Sequence, residues 1–510
     1  MPERNSASRG DSYPHMVCKS RIAPLLAAVA LALVTGCAVG PDFKKPAAPD
    51  VSDYTTGELA STVSTNVAGG QAQRFAKGND LSGDWWTLFH SRPLNELIEQ
   101  SLTSNADLKA AQAALSVARE NVLAQRGVYY PSLSGSFSAS RQRQAGTLAP
   151  VPNSNTFLYN LYTPQVTVAY TPDVFGLNRR TVESLQAQEQ EVRFQMIATY
   201  TTLTSNVVVT AIQLGSVQMQ IDATRQLIDI NSSMAQILHY QFAKGYVSRL
   251  DVAAQDSQLA QVAATLPPLI KQAAQLRDLL AVLAGQFPNK ATGEKFELSS
   301  LQLPEEVPVS LPSALVAQRP DVLQAEANLH DASAKIGIAI ANRLPNIQLS
   351  ADAGSTALAM SELFTSGTGF WSLGAAATAP IFEGGTLLHQ ERAAKAAYTQ
   401  AAEQYRSTVL TAFQNVADTL TALQQDAEGL KAAAGAEAAA KETLDLSQRQ
   451  QQSGYASSLA LLSAEQTYQQ ALINLIQAQA NRYADTAALF QALGGGWWNR
   501  EDLKADQHGP

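Results

Sequence analysis

The chain is written twice, and that repeat limits the fold more than any other feature of it. Asn105-Ala106-Asp107-Leu108 and the helical pattern after it lead to Tyr130-Pro131-Ser132-Leu133. Arg319-Pro320-Asp321-Val322 leads in the same way to Leu344-Pro345-Asn346-Ile347. Asp107 and Asp321 lie 214 positions apart, as do Pro131 and Pro345. Pro172-Asp173-Val174-Phe175-Gly176 matches Pro380-Ile381-Phe382-Glu383-Gly384 at 208, and Gly245-Tyr246 matches Gly454-Tyr455 at 209. The separation changes mainly between the matched prolines, where loops tolerate insertions. Each copy therefore reads as helix, strand, loop, strand, long helix, tight turn, helix.

The strands are short and alternating. Every second residue is Ser from Ser132 to Ser140, and polar residues alternate again over Ile347–Ala353. Partner strands are expected near Gln165–Tyr170 and Trp371–Ala379. A period of two with small polar residues on one face suits a strand between lipid and a wet lumen. A soluble antiparallel sheet would show the same alternation. Phe157, Tyr159, Tyr162, Phe370 and Trp371 cluster near the expected loop ends, where interfacial aromatics belong.

The helices after the strands are long. No proline interrupts 178–242 or 386–452. At 1.5 Å per residue the first of these reaches roughly 100 Å. Val207, Leu214, Ile221 and Ile228 fall seven apart, as do Val409, Val416, Leu423 and Leu430. Sustained seven-residue spacing implies helices packed as a coiled coil.

The N-terminus adds a compartment. Lys19 and Arg21 precede an apolar run from Ile22 to Val34, too short to span a membrane, which reads as a signal peptide. Residues 1–15 read as an extension upstream of a start at Met16. Leu33-Val34-Thr35-Gly36-Cys37 reads as a lipoprotein cleavage site that leaves Cys37 as a lipidated N-terminus, the alternative being an uncleaved anchor or a buried thiol. Acyl chains contribute about 0.8 kcal/mol per buried methylene, so several anchor stably. Removing 1–36 changes the formal charge from −8 to −10, because four basic and two acidic residues leave. That balance argues against a nucleic-acid partner.

Four strands cannot close a membrane barrel, and an open edge cannot sit in lipid. If the strands span, the chain must oligomerise. Eight strands from two copies leave an interior filled by side chains. A conducting tube favours three copies and twelve strands.

Several motifs carry a family resemblance over essentially the whole mature chain. They are Val39-Gly40-Pro41-Asp42-Phe43-Lys44-Lys45-Pro46 after the lipidation site, Asp84 with Trp85-Trp86-Thr87-Leu88-Phe89 and Pro93-Leu94, Gln318-Arg319-Pro320-Asp321-Val322, the Pro380–Gly384 segment, and Leu493-Gly494-Gly495-Gly496-Trp497. Together they resemble the outer-membrane lipoproteins of tripartite efflux systems, the NodT/OprM branch of the TolC-like outer-membrane factors. The resemblance implies a mainly α protein with transmembrane β-strands. It forms a homotrimer whose twelve-stranded β-barrel, four strands per chain, continues into a long periplasmic α-helical coiled-coil barrel. The expected divisions are a signal peptide (1–36), a lipidated N-terminal and equatorial segment (37–100), a first repeat with its Pro-rich link (101–312), a second repeat (313–493) and a tail (494–510).

The implied function is a passive outer-membrane exit channel for drugs or other toxic small molecules. Its implied partners are a periplasmic adaptor, a proton-driven inner-membrane transporter and outer-membrane lipid. Alternatives are a duct for type I protein secretion and a lipid-anchored coiled-coil scaffold without a pore. The two helix turns, Gly245-Tyr246 with Arg249 and Asp251, and Gly454-Tyr455, are the implied tips and adaptor contacts. Leu459 matches an apolar constriction, although it also fits an ordinary coiled-coil core position. Ala460 and Ser463 stand where many relatives carry carboxylates, which puts an acidic ring in doubt. The only covalent group expected is the lipid on Cys37. No cofactor or metal is expected, since the six scattered histidines form no close ligand pair, and no residue constellation supports an enzyme.

Overall fold

The computed structural model describes residues 38–57, 61–143, 158–290, 296–453, 455 and 458–504, with backbone alone for Ser458, Leu459 and Lys504. Cys37, Phe157 and Gly454 lie outside the described residues. In chain order the elements are β1 (Arg74–Lys77), α1 (Arg92–Ser104), α2 (Ala106–Arg126), β2 (Ser132–Arg143), β3 (Leu158–Tyr170), α3 (Leu177–Ala243) and α4 (Arg249–Leu283). They continue with β4 (Glu306–Val309), α5 (Pro312–Gln318), α6 (Pro320–Ala341), β5 (Asn346–Ser355), β6 (Gly369–Thr378), α7 (Thr386–Gln452), α8 (Ser458–Ala492) and α9 (Glu501–Lys504). Both long helices have 67 residues, both helices after the turns have 35, and all four boundaries repeat at 209 positions. No described helix is both long and apolar enough to cross a membrane.

The chain forms two compact units. One is the sheet unit (to residue 41, 126–182 and 334–392). Its four strands run antiparallel in the order β2-β3-β5-β6. The register sorts the side chains by face. Leu133, Val168, Ala351 and Leu373 form one cross-strand row, and Ser134, Thr167, Asp352 and Ser372 the next. Adjacent rows point to opposite faces. The polar row is stitched together: Asp352 accepts from Thr167 Oγ1 at 2.6 Å and from Ser372 Oγ at 3.0 Å. The apolar row is open, with Leu133 73% and Leu373 75% exposed. Among the described residues, strands β2 and β6 leave their outer edges unpaired. In the same unit Arg180 Nε donates to the Val39 carbonyl at 3.0 Å. A Cβ on Gly40 would come within 2.5 Å of the Gly337 Cα, so only glycine lets the N-terminal segment lie this close.

The other unit is helical (42–125, 183–333 and 393 onward). Heptad residues form its core: Val416, Leu423 and Leu430 are fully buried, Val207, Leu214 and Ile221 nearly so. On α7, Tyr405, Ala412, Leu420 and Ala427 are buried too. An aromatic cluster of Trp85, Phe89, Tyr483 and Phe490 fixes the N-terminal segment to α8. Phe43 stacks on His330 at 4.3 Å, and Lys45 pairs with Glu326 at 3.0 Å.

The structure adds three features to the sequence reading. The boundary placed at 100/101 falls inside α1, which Ser91 and Pro93 start at Arg92 and which runs unbroken to Ser104. The N-terminal segment and the Pro-rich link share a two-stranded parallel sheet, β1 with β4, with Arg74 opposite Glu306. And α4 carries Pro267-Pro268 in its interior. Two missing amides leave the Ala263 and Ala264 carbonyls without helical donors, a cost that packing of the surrounding turns must offset.

Candidate functional site

The two helix turns are built alike. At the first, Gly245 adopts φ +79°, Tyr246 N donates to the Gln241 carbonyl at 2.9 Å, and Gly245 N to the Phe242 carbonyl at 2.9 Å. This is a glycine-terminated helix end, and a side chain at that φ would be strained. At the second turn Tyr455 N donates to the Gln450 carbonyl at 2.8 Å, the same bond 209 residues on. Both tyrosines are exposed, Tyr246 79% and Tyr455 88%. Beside the first, a groove of about 550 Å³ is lined by Ile237, Tyr240, Gln241 and Tyr246.

The turns differ in how the next helix starts. Ser248 caps α4 in a reciprocal box: Ser248 Oγ accepts from the Asp251 amide at 3.2 Å, and Asp251 Oδ2 accepts from the Ser248 amide at 3.0 Å. These donors, the Ser248 hydroxyl first, hold the Asp251 carboxyl below the usual aspartate value. Asp251 was expected at a contact surface with Arg249. Arg249 is exposed there, whereas the Asp251 carboxylate is engaged inside the turn. The Ser-x-x-Asp spacing was a readable cap signature. The position 209 residues after Asp251 is Ala460, so α8 begins without that carboxylate.

Leu459 is the second residue of α8, one helical turn before Ser463. Ala460 and Ser463 are exposed, while Leu461, Leu462, Ala464 and Glu465 are buried. Glu465 is 1% exposed, and neither carboxylate oxygen has a hydrogen-bond partner. Burial pushes its carboxyl up to about 7. The sequence reading missed this residue.

A second buried polar cluster lies toward the other end of α8. Arg482 is fully buried and donates through Nη2 to Thr62 Oγ1 at 2.9 Å and to the Gln71 carbonyl at 2.7 Å. Burial lowers its guanidinium pKa, and Asp426 opposes that shift. Asp426 itself is pushed up to about 7 by burial and by the neighbouring Asp485 carboxyl. Among the described residues no group of three or more His, Cys, Asp or Glu could hold a metal ion.

Comparison with known proteins gives the same architecture. The sequence profile of the outer membrane efflux protein family matches residues 97–286 and 311–495. The probable efflux pump outer membrane protein TtgC of Pseudomonas putida is 29% identical over 479 residues, 93% of this chain and 95% of the relative. The solved outer-membrane channel OprN superposes with a TM-score of 0.81 at 26% identity, covering 90% of this chain and all of that one. The Campylobacter jejuni CmeC outer membrane channel gives 0.84 at 21% identity, covering 92% and 98%, a likeness of fold.

Proposed function

The chain belongs to the outer membrane efflux protein family, the outer-membrane channels of tripartite efflux pumps, and from that premise we propose how its own residues divide the work. It is a passive outer-membrane exit channel for drugs and other toxic small molecules. It works with a periplasmic adaptor and an inner-membrane transporter. The observation that carries this reading is that the family profile covers both repeats of a chain whose relative TtgC is a probable efflux pump protein.

In this reading three copies join the open edges of β2 and β6 into one barrel, with the apolar rows toward lipid and the Asp352 row toward the lumen. The helix turns form the periplasmic end. Gly245, Tyr246, Arg249, Gly454 and Tyr455 present the surface that meets the adaptor, and Asp251 stiffens the first turn by capping α4. The second turn, without that cap, is the movable one. Leu459 from three copies makes an apolar ring that excludes hydrated solutes while closed, and Ala460 and Ser463 line the same mouth without charge. Cys37 carries the lipid, and the partner transporter is proton-driven.

Recording from purified protein in planar bilayers tests this. Discrete conductance is expected, and Leu459→Ala is expected to raise the closed-state current. Unchanged closed current removes Leu459 as the constriction. In-cell cross-linking with mass spectrometry should recover an adaptor with a proton-driven transporter; recovery of an ATP-driven exporter instead would move the protein to secretion.

A further inference from the structure

Glu465 is buried, and neither of its carboxylate oxygens has a hydrogen-bond partner. It follows Ala464 of a small apolar cluster, Leu444, Leu461 and Ala464, against which Met234 of α3 and Tyr468 of α8 pack. On the next residue, Gln466 donates to Gln258 of α4 at 2.8 Å, so α3, α4, α7 and α8 all converge at this level. A carboxylate ionised in such a place without partners is costly, and the group goes neutral instead.

The internal repeat supplies an independent observation. The residue 209 positions before Glu465 is Asp256, which is exposed and lies 3.0 Å from His239 Nε2. The residue 209 positions after His239 is Gln448. The first copy thus keeps its acid paired in water, whereas the second has lost the histidine and buried the acid. The charged groups of the packed helices at this level are Asp229 and His239 on α3, Asp256 on α4, and Glu437, Lys441, Glu442, Asp445 and Arg449 on α7. None hydrogen-bonds to Glu465, and Glu437 is engaged by the Tyr468 hydroxyl.

We propose that Glu465 is a proton-operated latch on the movable turn: neutral, it lets α8 stay packed at this level, and ionised, it drives the start of α8 out of that packing and loosens the mouth. The proposal rests on the channel reading and adds a regulation to it. The sign follows from linkage. A carboxyl whose value is raised in the packed state stabilises that state at acid pH, and the contribution is lost as pH rises through about 7. The channel is therefore held shut in an acid periplasm and eased open in an alkaline one. Leu459 lies six residues before Glu465 on the same helix, close enough to move with it.

The test uses the full-length trimer in planar bilayers, with potassium current read as the pH on the helical side is stepped from about 5 to about 8. In the wild type the open-to-closed ratio is expected to rise by up to about tenfold per pH unit below about 7, where only the packed state holds the proton, and to level off above it. Glu465→Gln is expected to stay at its acid value throughout. The same pH step in both proteins overturns the latch and leaves the channel standing. Amide hydrogen exchange over residues 458–468, corrected for intrinsic base catalysis, reads the latch without any current. Protection should fall by up to about tenfold per unit in the wild type as the pH rises toward about 7, level off above it, and stay flat in Glu465→Gln and Glu465→Ala. Wild-type protection independent of pH overturns the proposal even if neither variant folds. Absence of current at every pH, with trimers present in the bilayer, defeats the channel reading, and exchange still judges the latch.

Discussion

At the residue scale, this protein spends its polar groups unevenly on two similar turns. The Ser248–Asp251 box satisfies amides that the first turn of α4 would otherwise leave bare. Asp251→Ala, which removes the N3 half of the capping box, should cost about 0.3–1 kcal/mol. It should raise exchange at residues 249–252 and leave α8 unaffected, a difference that peptide-resolved exchange reads directly. Asp426 makes a different kind of contribution. Its carboxyl is raised to about 7 by burial and by Asp485, so the folded protein holds a proton there that the unfolded chain releases. That stability is present below the unfolded value and is lost as pH rises through about 7. Unfolding midpoints should therefore fall as the pH rises from about 4 to about 7 and level off above it, and Asp426→Asn should flatten its share of the fall. Arg482, buried with Nε and Nη1 unpartnered, cannot simply be removed: the Gln71 carbonyl would lose this donor and Asp426 the nearby positive charge.

At the scale of elements, the long helices and the sheet obey different rules. A 67-residue helix is stable chiefly because its apolar heptad face is covered, and in α7 abundant alanine, glutamine and glutamate add helix propensity. The sheet has no such cover within one chain, and both faces of β2 are exposed. Its register nonetheless separates the Leu373 row from the Ser372 row, one for lipid and one for a wet lumen. Leu373→Arg should cost about 2–4 kcal/mol of folding in the bilayer and reduce heat-resistant assembly. Ser372→Arg, one residue away, should assemble and alter ion selectivity instead. Equal effects from the two substitutions, scored by gel mobility and by reversal potential, would mean the faces are assigned wrongly.

At the scale of the whole molecule, a four-stranded sheet with two free edges is unfinished. Cysteines placed on β2 (Ser138→Cys) and, one at a time, across 371–376 on β6 should give one position that forms intermolecular disulfides running as trimers on non-reducing gels. No such product at any position would refute edge-to-edge closure. The sequence alone discloses the repeat, three of the four membrane strands near their final bounds, the C-terminal half of β3, the length of α3 and α7 and the heptad core, because each is a period that the chain displays directly. It also carried the family, through motifs spread over both copies. Only tertiary structure decided the pairing of β1 with β4, the continuation of α4 through Pro267-Pro268, the stitching of Asp352 to its neighbours and the isolation of Glu465. The physical reason is common to all four. Pairing, burial and the value of a charge depend on residues far away in the chain, and a carboxylate in water and one sealed among leucines are the same letter.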